Sequence, residues 1–427
     1  MLEKTLRVVE KLIPRKLYRA GQPIYHYLLA LAGAIIYRFP SRKIKVVAIT
    51  GTKGKTSTTE ILATILETAG YKVATTSTLQ FKIGDQVRRN LYKMSMPGRM
   101  FMQKFLRQAV SANCDYAILE TTSEGVKTFR HKFINFDGLI FTNISPEHIE
   151  SHGSYEKYLT AKLEYAKALA HSPKLNKVIV VNGDDVESPK FLAFAPGARQ
   201  ISFTLHHAEP LEINESGINF TLADQTIKTK MLGQFNLYNM LAATTLAQAI
   251  GIPIEKIKLA LEGLAGIRGR VEFVTINSSK QDFDVVVDYA HTADSLEKFY
   301  QTFSGRRLIC VFGATGGGRD HWKRPEMGKI ADKYCSEIIL TDDDSYDEDP
   351  QMIAGAIADG ITSHQPEIIT DRRLAIRSAL AKAQAGDVVT LTGKGTDPFL
   401  MGPNGQKTPW DDATVVREEL ESKFKSL

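Results

Sequence analysis

Val46-Val47-Ala48-Ile49-Thr50-Gly51-Thr52-Lys53-Gly54-Lys55-Thr56-Ser57 decides how the chain reads. A β-branched apolar run meets two glycines, a lysine and adjacent hydroxyls, and apolar residues then recur at helical spacing at Ile61, Leu62, Ile65 and Leu66. The pattern predicts strand, phosphate loop, helix. Backbone amides freed at Gly51 and Gly54 turn toward an anion at the helix N-terminus, Lys55 reaches its outer phosphates, and Thr56 offers a hydroxyl to magnesium. The full Walker A spacing asks for glycine where this chain has Ile49, so the match is partial. The plainer reading is a Gly-rich turn with a solvated lysine, and the strand before and helix after argue against it.

The 427 residues suffice for two or three domains with ordinary soluble composition. Lysine plus arginine number 54 against 48 acids, a net charge of +6 spread without basic blocks, which excludes a nucleic-acid binder. Three scattered cysteines, Cys114, Cys310 and Cys335, lack metal spacing and predict free buried thiols in a reducing cytoplasm.

Residues 1–44 form a section of their own. Lys4, Arg7, Lys11, Arg15, Lys16 and Arg19 interleave with apolar residues, and Leu28 to Tyr37 is apolar but shorter than the roughly 20 residues a bilayer span needs. A secretory signal would strand a nucleotide site outside the cell. Two readings stand: a helical arm packed on the next domain, or a basic amphipathic helix touching an anionic membrane through residues 1–40.

From Lys45 strand-like and helix-like segments alternate, as in parallel sheets covered by helices. The expected strands are Val46–Thr50, Tyr71–Thr76, Tyr116–Glu120, Leu139–Thr142 and Val178–Asn182. Short alternating pieces between Ile201 and Met231 read as an antiparallel addition, and Leu237–Ala249 as a helix. Gly263, Gly266 and Gly269 suggest a hinge, and a second series follows: Val285–Asp288, Leu308–Phe312, Ile338–Thr341 and Val388–Thr392. Polar or glycine-rich residues follow each strand, where open parallel sheets hold ligands.

Glu120 ends one strand, before Thr121, Thr122 and Ser123; a carboxylate there can hold magnesium, or be a solvated or capping group. His148 follows the strand ending at Thr142, so it can converge with Glu120. Composition alone makes Lys162 an exposed helix lysine.

These motifs, with Gly233-Gln234-Phe235-Asn236 and Asn239, Gly269-Arg270-Val271-Glu272, Asp288-Tyr289-Ala290-His291-Thr292 and Gly393-Lys394-Gly395, resemble the Mur ligase family. Within it, the chain is most similar to the members that add the third residue of the peptidoglycan stem peptide. The resemblance covers Lys45 to the C-terminus and implies an α/β fold: a central P-loop ATPase domain with a parallel sheet at 45–267, and a Rossmann-like C-terminal domain at 268–427, preceded by the arm at 1–44. It implies an ATP-dependent ligase in which a substrate carboxylate is phosphorylated and an amine captures the acyl phosphate. Lys55 and the loop Gly51, Thr52, Lys53, Gly54, Thr56 and Ser57 then hold ATP. Thr56 and Glu120 bind one Mg2+, while His148 and a carbamylated Lys162 serve a second; Asn239, Arg270, Asp288 and His291 complete the nucleotide site.

For the nucleotide-sugar peptide acceptor the resemblance assigns Ser95, Ser123 and Arg130. Ser95-Met96-Pro97 stands for a family Thr-Thr-Pro, so one hydroxyl is lost. The usual N-terminal domain that grips uridine has no counterpart in residues 1–44, which opens the alternative of an acceptor without UDP. For the free amino acid it assigns Arg319, Asp344, Tyr346, Gly393 and Asp397. The diaminopimelate-adding members carry Asp-Asn-Pro-Arg where this chain has Asp343-Asp344-Ser345-Tyr346, so the arginine that forks onto a distal carboxylate is a phenol. That favours L-lysine over meso-diaminopimelate. The resemblance further implies a cytoplasmic monomer. A folylpolyglutamate-synthetase-like ligase shares the architecture but matches the C-terminal motifs less well, and a non-catalytic nucleotide-binding module would be expected to lose Lys55, Glu120, His148 or Lys162.

Overall fold

The computed structural model describes residues 15–147, 152–278, 280–318 and 321–425. His148 and Arg319 lie outside the described residues. The chain forms two compact units that interleave along the sequence: residues 15–147, 154–204 and 239–257 in the first, 205–238 and 258–425 in the second. This differs from a single boundary between 267 and 268, because residues 205–238 pack with the second unit.

Among the described residues the first unit holds eight strands: β1 (Lys45–Thr50), β2 (Val73–Thr76), β3 (Gln80–Ile83), β4 (Gln86–Arg89), β5 (Tyr116–Glu120), β6 (Gly138–Phe141), β7 (Val178–Asn182) and β8 (Arg199–Phe203). Their order is β4-β3-β2-β5-β1-β6-β7-β8. Strands β1, β5 and β6 are covered on both faces, as their unbroken apolar runs demand. Parallel register sets Ile49 beside Glu120 and Thr50 beside Phe141, so the C-terminal ends of β5, β1 and β6 lie side by side. The loops that follow must therefore share one edge of the sheet.

Strands β3 and β4 form an antiparallel hairpin that the sequence reading missed. Their residues are too polar to signal strands, and β4 (Gln-Val-Arg-Arg) is wholly exposed, its charges blunting the sheet edge. Strand β8, expected in the antiparallel addition, instead pairs parallel with β7. The helix Arg15–Ile36 turns His26 and Gly33 toward the helix Arg99–Ser111 and leaves Ile24, Leu28, Ile35 and Ile36 exposed. Among the described residues no helix is long and apolar enough to cross a membrane.

In the second unit β9 (Leu211–Asn214), β10 (Gly217–Leu222) and β11 (Gln225–Thr229) make the expected antiparallel sheet. Strands β12 (Glu272–Phe273), β13 (Asp284–Val287), β14 (Leu308–Phe312), β15 (Glu337–Leu340), β16 (Glu367–Ile368) and β17 (Val388–Leu391) form a sheet of order β12-β13-β17-β14-β15-β16, parallel except for β12. Apolar clusters cover both its faces. A small hairpin, β18 (Phe399–Met401) with β19 (Lys407–Pro409), follows.

One expectation is corrected here: Cys310 and Cys335 are joined as a disulfide, and Cys114 alone is a free buried thiol. Cys310 lies on β14, and Cys335 ends the helix Lys323–Tyr334 that leads into neighbouring β15, so the fold sets their Cα atoms 6.0 Å apart. A sequence separation of 25 carries no such signal.

Candidate active site

The phosphate loop occupies the bend between β1 and the helix Lys55–Thr68. Gly51 and Gly54 have φ of +151° and +81°, and a Cβ at either would run into Thr142 or Asn239. Glycine is required at both. Neighbouring strand ends brace the loop: the Thr52 amide donates to the Asn143 carbonyl at 2.8 Å, the Lys53 amide to Asn143 Oδ1 at 3.0 Å, and Thr142 Oγ1 to the Lys53 carbonyl at 2.7 Å. Lys53 pairs with Glu147 at 2.9 Å. Lys55 Nζ is folded onto the carbonyls of Gly51 and Thr52 at 3.0 and 2.8 Å. Thr56 and Ser57 open the helix, both buried. Asn239 Oδ1 accepts from Thr58 Oγ1 at 3.4 Å beside Gly54, inside the same unit.

Glu120 is buried at the end of β5 and accepts three hydrogen bonds: from Thr56 Oγ1 at 2.8 Å, and from the Thr78 amide and hydroxyl at 2.9 and 2.7 Å. Hydroxyl and carboxylate oxygens so paired are the hard donors that magnesium takes. The donor set thus fits the ion. Thr78 went unnoticed in the sequence, as did Glu60, which holds Ser77 and Gln80 and whose carboxyl is pushed up first by burial. Only the hydroxyl run Thr75-Thr76-Ser77-Thr78 hints at the first.

Lys162 is not an exposed helix lysine. It is buried, its Nζ donates to the Gly51 carbonyl at 2.6 Å, and it stands 4.7 Å from the centre of the Tyr158 ring. Burial first, and then the Lys55 charge, lower its pKa well below the usual lysine value, so the charged form is disfavoured relative to an exposed lysine. Tyr158 Oη meets Thr52 Oγ1 at 3.1 Å, tying the lysine's helix to the loop. The structure thus gathers Lys55, Thr56, Glu120 and Lys162 around one loop.

The residues expected to meet the acceptor lie in the same unit. Ser95 is 2% exposed, and among the described residues its hydroxyl has no hydrogen-bond partner. Ser123 opens the short helix Ser123–Lys127, which Thr122 caps through the Gly125 amide at 3.0 Å. Arg130 Nη1 donates to the Met96 carbonyl.

In the second unit Arg270 stacks 4.5 Å over the Tyr289 ring, and Asp288 accepts from the amides of Val271 and Ala290 at 2.9 and 2.7 Å. His291 Nδ1 donates to the Tyr289 carbonyl at 2.7 Å. Asp344 and Asp397, expected at the free amino acid, already face an ammonium of the chain's own. Lys394, fully buried, lies 2.7 Å from Asp344, 3.7 Å from Asp397 and 3.8 Å from Asp343. Burial nevertheless raises the Asp343 carboxyl. Gly393, at φ +103°, packs against Asp343 where a Cβ would collide. Tyr346 borders a cavity of about 490 Å³ whose wall includes Asp342, Asp347, Glu348 and Asp349.

Comparison with known proteins shows the family of the chain. Residues 49–247 match the Mur ligase middle domain, and residues 269–395 the Mur ligase glutamate ligase domain. The chain is 35% identical over 419 residues to the UDP-N-acetylmuramyl-tripeptide synthetase of Roseiflexus sp. (strain RS-1), covering 92% of this chain and 81% of that one. It is 36% identical over 410 residues to the UDP-N-acetylmuramoyl-L-alanyl-D-glutamate--2,6-diaminopimelate ligase of Syntrophomonas wolfei, covering 93% and 82%. A solved structure of a ligase of that second name superposes with a TM-score of 0.60 at 28% identity, over 89% of this chain and 79% of that one. The chain belongs to the Mur ligase family, ATP-dependent ligases that form amide bonds in peptidoglycan precursor synthesis.

Proposed function

We propose that the protein joins a diamino acid, L-lysine in preference to meso-diaminopimelate, to the D-glutamyl carboxyl of UDP-N-acetylmuramoyl-L-alanyl-D-glutamate in the cytoplasm, acting as a monomer. The observation that carries this reading is the convergence of Lys55, Thr56, Glu120 and the buried amine of Lys162 on the loop after β1.

The loop amides and Lys55 hold the β- and γ-phosphates, Lys55 exchanging its two carbonyl partners for phosphate oxygens. Thr56 and Glu120 hold Mg2+, which when bound neutralises charge on the transferring phosphoryl group. The acceptor carboxylate takes the γ-phosphoryl group and ADP leaves; the amine then attacks the acyl carbon, and phosphate leaves as the amide forms. Lys162, whose charged form burial disfavours, can add carbon dioxide through its nitrogen and release a proton to become a carbamate, an anion suited to a second cation together with His148.

The preference for lysine is supported by Tyr346 and the carboxylates around its cavity, which attract an ammonium and repel a second carboxylate. Arg319 is suited to the amino acid's own carboxylate. The relative from Syntrophomonas wolfei and the superposed structure are named for diaminopimelate instead, so the test is direct: ADP release with acceptor plus each amino acid, and the mass of the product. Release that needs both acceptor and lysine is expected. Turnover confined to diaminopimelate would overturn the preference, and none with any amino acid would overturn the ligase reading.

A further inference from the structure

The helix Arg15–Ile36 brings His26 against Arg99, with the Arg130 charge also bearing on it, and among the described residues neither arginine is in an ion pair. Arg99 Nη2 hydrogen-bonds His26 Nδ1, and its Nε donates to the Thr128 carbonyl at 2.7 Å. Arg130 bonds the Met96 carbonyl and lies 3.6 Å from Met94 Sδ, while its buried Nε has no partner. Among the described residues none of the three groups has a carboxylate within ion-pair distance. Burial first, and then the arginine charges, lower the pKa of His26, and burial first lowers those of Arg99 and Arg130. Because a guanidinium only donates, His26 Nδ1 must accept, which puts its proton on Nε2 as one more donor.

Fork-shaped donors that no carboxylate pairs with directly, Glu124 acting on Arg130 only from a distance, are the usual receptor for a carboxylate or phosphate. Ser95, whose buried hydroxyl also has no hydrogen-bond partner among the described residues, precedes the Met96 carbonyl that Arg130 holds. Tyr27 packs edge-on against Phe133 at 5.2 Å, fixing the arm to the segment that bears Arg130. We propose that His26, Arg99 and Arg130 form a binding site for an oxyanion of the acceptor, so that the N-terminal helix supplies part of the acceptor site. Of these, Arg130 was already expected from the family resemblance; His26 and Arg99 are new. That the anion belongs to the acceptor rests on the ligase reading; the anion site does not.

The test uses the full chain saturated with ADP and Mg2+, which closes the phosphate loop to other anions. Calorimetric titration with UDP, which has no carboxylate, and with muramoyl-L-alanyl-D-glutamate, which has no phosphate, shows which oxyanion is held. Arg99→Ala and His26→Ala are each expected to weaken that probe and raise the acceptor KM about 10-fold or more, with kcat and the ATP KM little changed. Arg99→Lys, which keeps the charge and perturbs packing less, should recover part of the loss. Unchanged acceptor KM in both alanine variants, or neither probe binding to the wild type, would overturn the site. Binding that depends on Arg99 without turnover of any acceptor would keep the site and sink the ligase reading instead.

Discussion

Lys162 Nζ donates to the Gly51 carbonyl at 2.6 Å from a buried position, so a cationic residue type stands against the loop with Lys55 as its electrostatic neighbour. In the unfolded chain such an amine titrates near ~10.4. Burial and Lys55 depress the folded value, so in that window the unfolded chain binds more protons and stability rises with pH. The contribution is fully present above the unfolded value and lost as pH falls through the folded one. Lys162→Met removes the group. In bicarbonate-free buffer, wild type should lose urea stability relative to this variant as pH is lowered, and a pH-independent difference would contradict a depressed amine. The same variant should lack the carbamate carbon signal expected in the wild type under labelled carbon dioxide.

Glu120 organises three donors and, on the proposed reading, a metal ion. Glu120→Gln keeps the shape and one carbonyl acceptor but loses the charge. The expected result is a kcat lower by about 10²- to 10³-fold, typical for loss of one charge-stabilising group, with a higher Mg2+ requirement. Circular dichroism should stay native. An unchanged metal dependence would remove Glu120 from the metal site.

Much of this site could be read from β1, β5 and β6, because both-face burial forces unbroken apolar runs whose ends announce themselves by polar residues. Lys162 could not be read so: Tyr158, Leu159, Ala161 and Leu163 around it are compatible with an exposed or a buried lysine, and only the approach of Gly51 decides. Lys394 misled in another way. Asp344 and Asp397, expected at the free amino acid, stand 50 and 3 residues from it in sequence, and only the fold shows that both face the Lys394 side chain. Hairpin β3–β4 was hidden because an exposed, charged edge has no apolar period to detect.

With Asp344 engaged by Lys394, the proposed reading assigns discrimination among amino acids to the wall of the neighbouring cavity, where Tyr346 has φ +52° and its amide donates to the Met401 carbonyl at 3.0 Å. Tyr346→Arg places a planar cation there without disturbing that backbone bond. The ratio of kcat/KM for diaminopimelate over lysine should rise by about 10-fold or more, as one charge-assisted pair allows. An unchanged ratio would take Tyr346 out of the specificity pocket.

The outer face of the helix Arg15–Ile36 exposes Ile24, Leu28, Ile35 and Ile36, with exposed Arg38, Arg42 and Lys43 just beyond its end. Residues 15–44 contain no acid. Apolar area joined to basic charge is what holds a helix on an anionic interface, and each basic residue near such a surface contributes about 1 kcal/mol. Co-sedimentation with phosphatidylglycerol vesicles is expected, weakened by salt and by Leu28→Glu, with little binding to phosphatidylcholine. Equal binding to both lipids would argue against the charge term, and none to either against the contact.

Arg372 and Asp412 form a two-point ion pair at 2.8 and 2.7 Å with neither side chain exposed, and Trp410 Nε1 adds a third bond to the carboxylate at 2.8 Å. Removing one partner leaves the other charge buried without compensation, which costs about 3–5 kcal/mol, whereas removing both leaves no stranded charge. Asp412→Ala should therefore lower the thermal midpoint of the second unit by about 6–20 °C, at roughly 2–4 °C per kcal/mol for a unit of this size. The double variant Arg372→Met with Asp412→Leu should recover at least half of that loss. Additive losses in the double variant would show that the pair acts through its separate contacts with Thr392 and Trp410 and not through the burial of opposite charges.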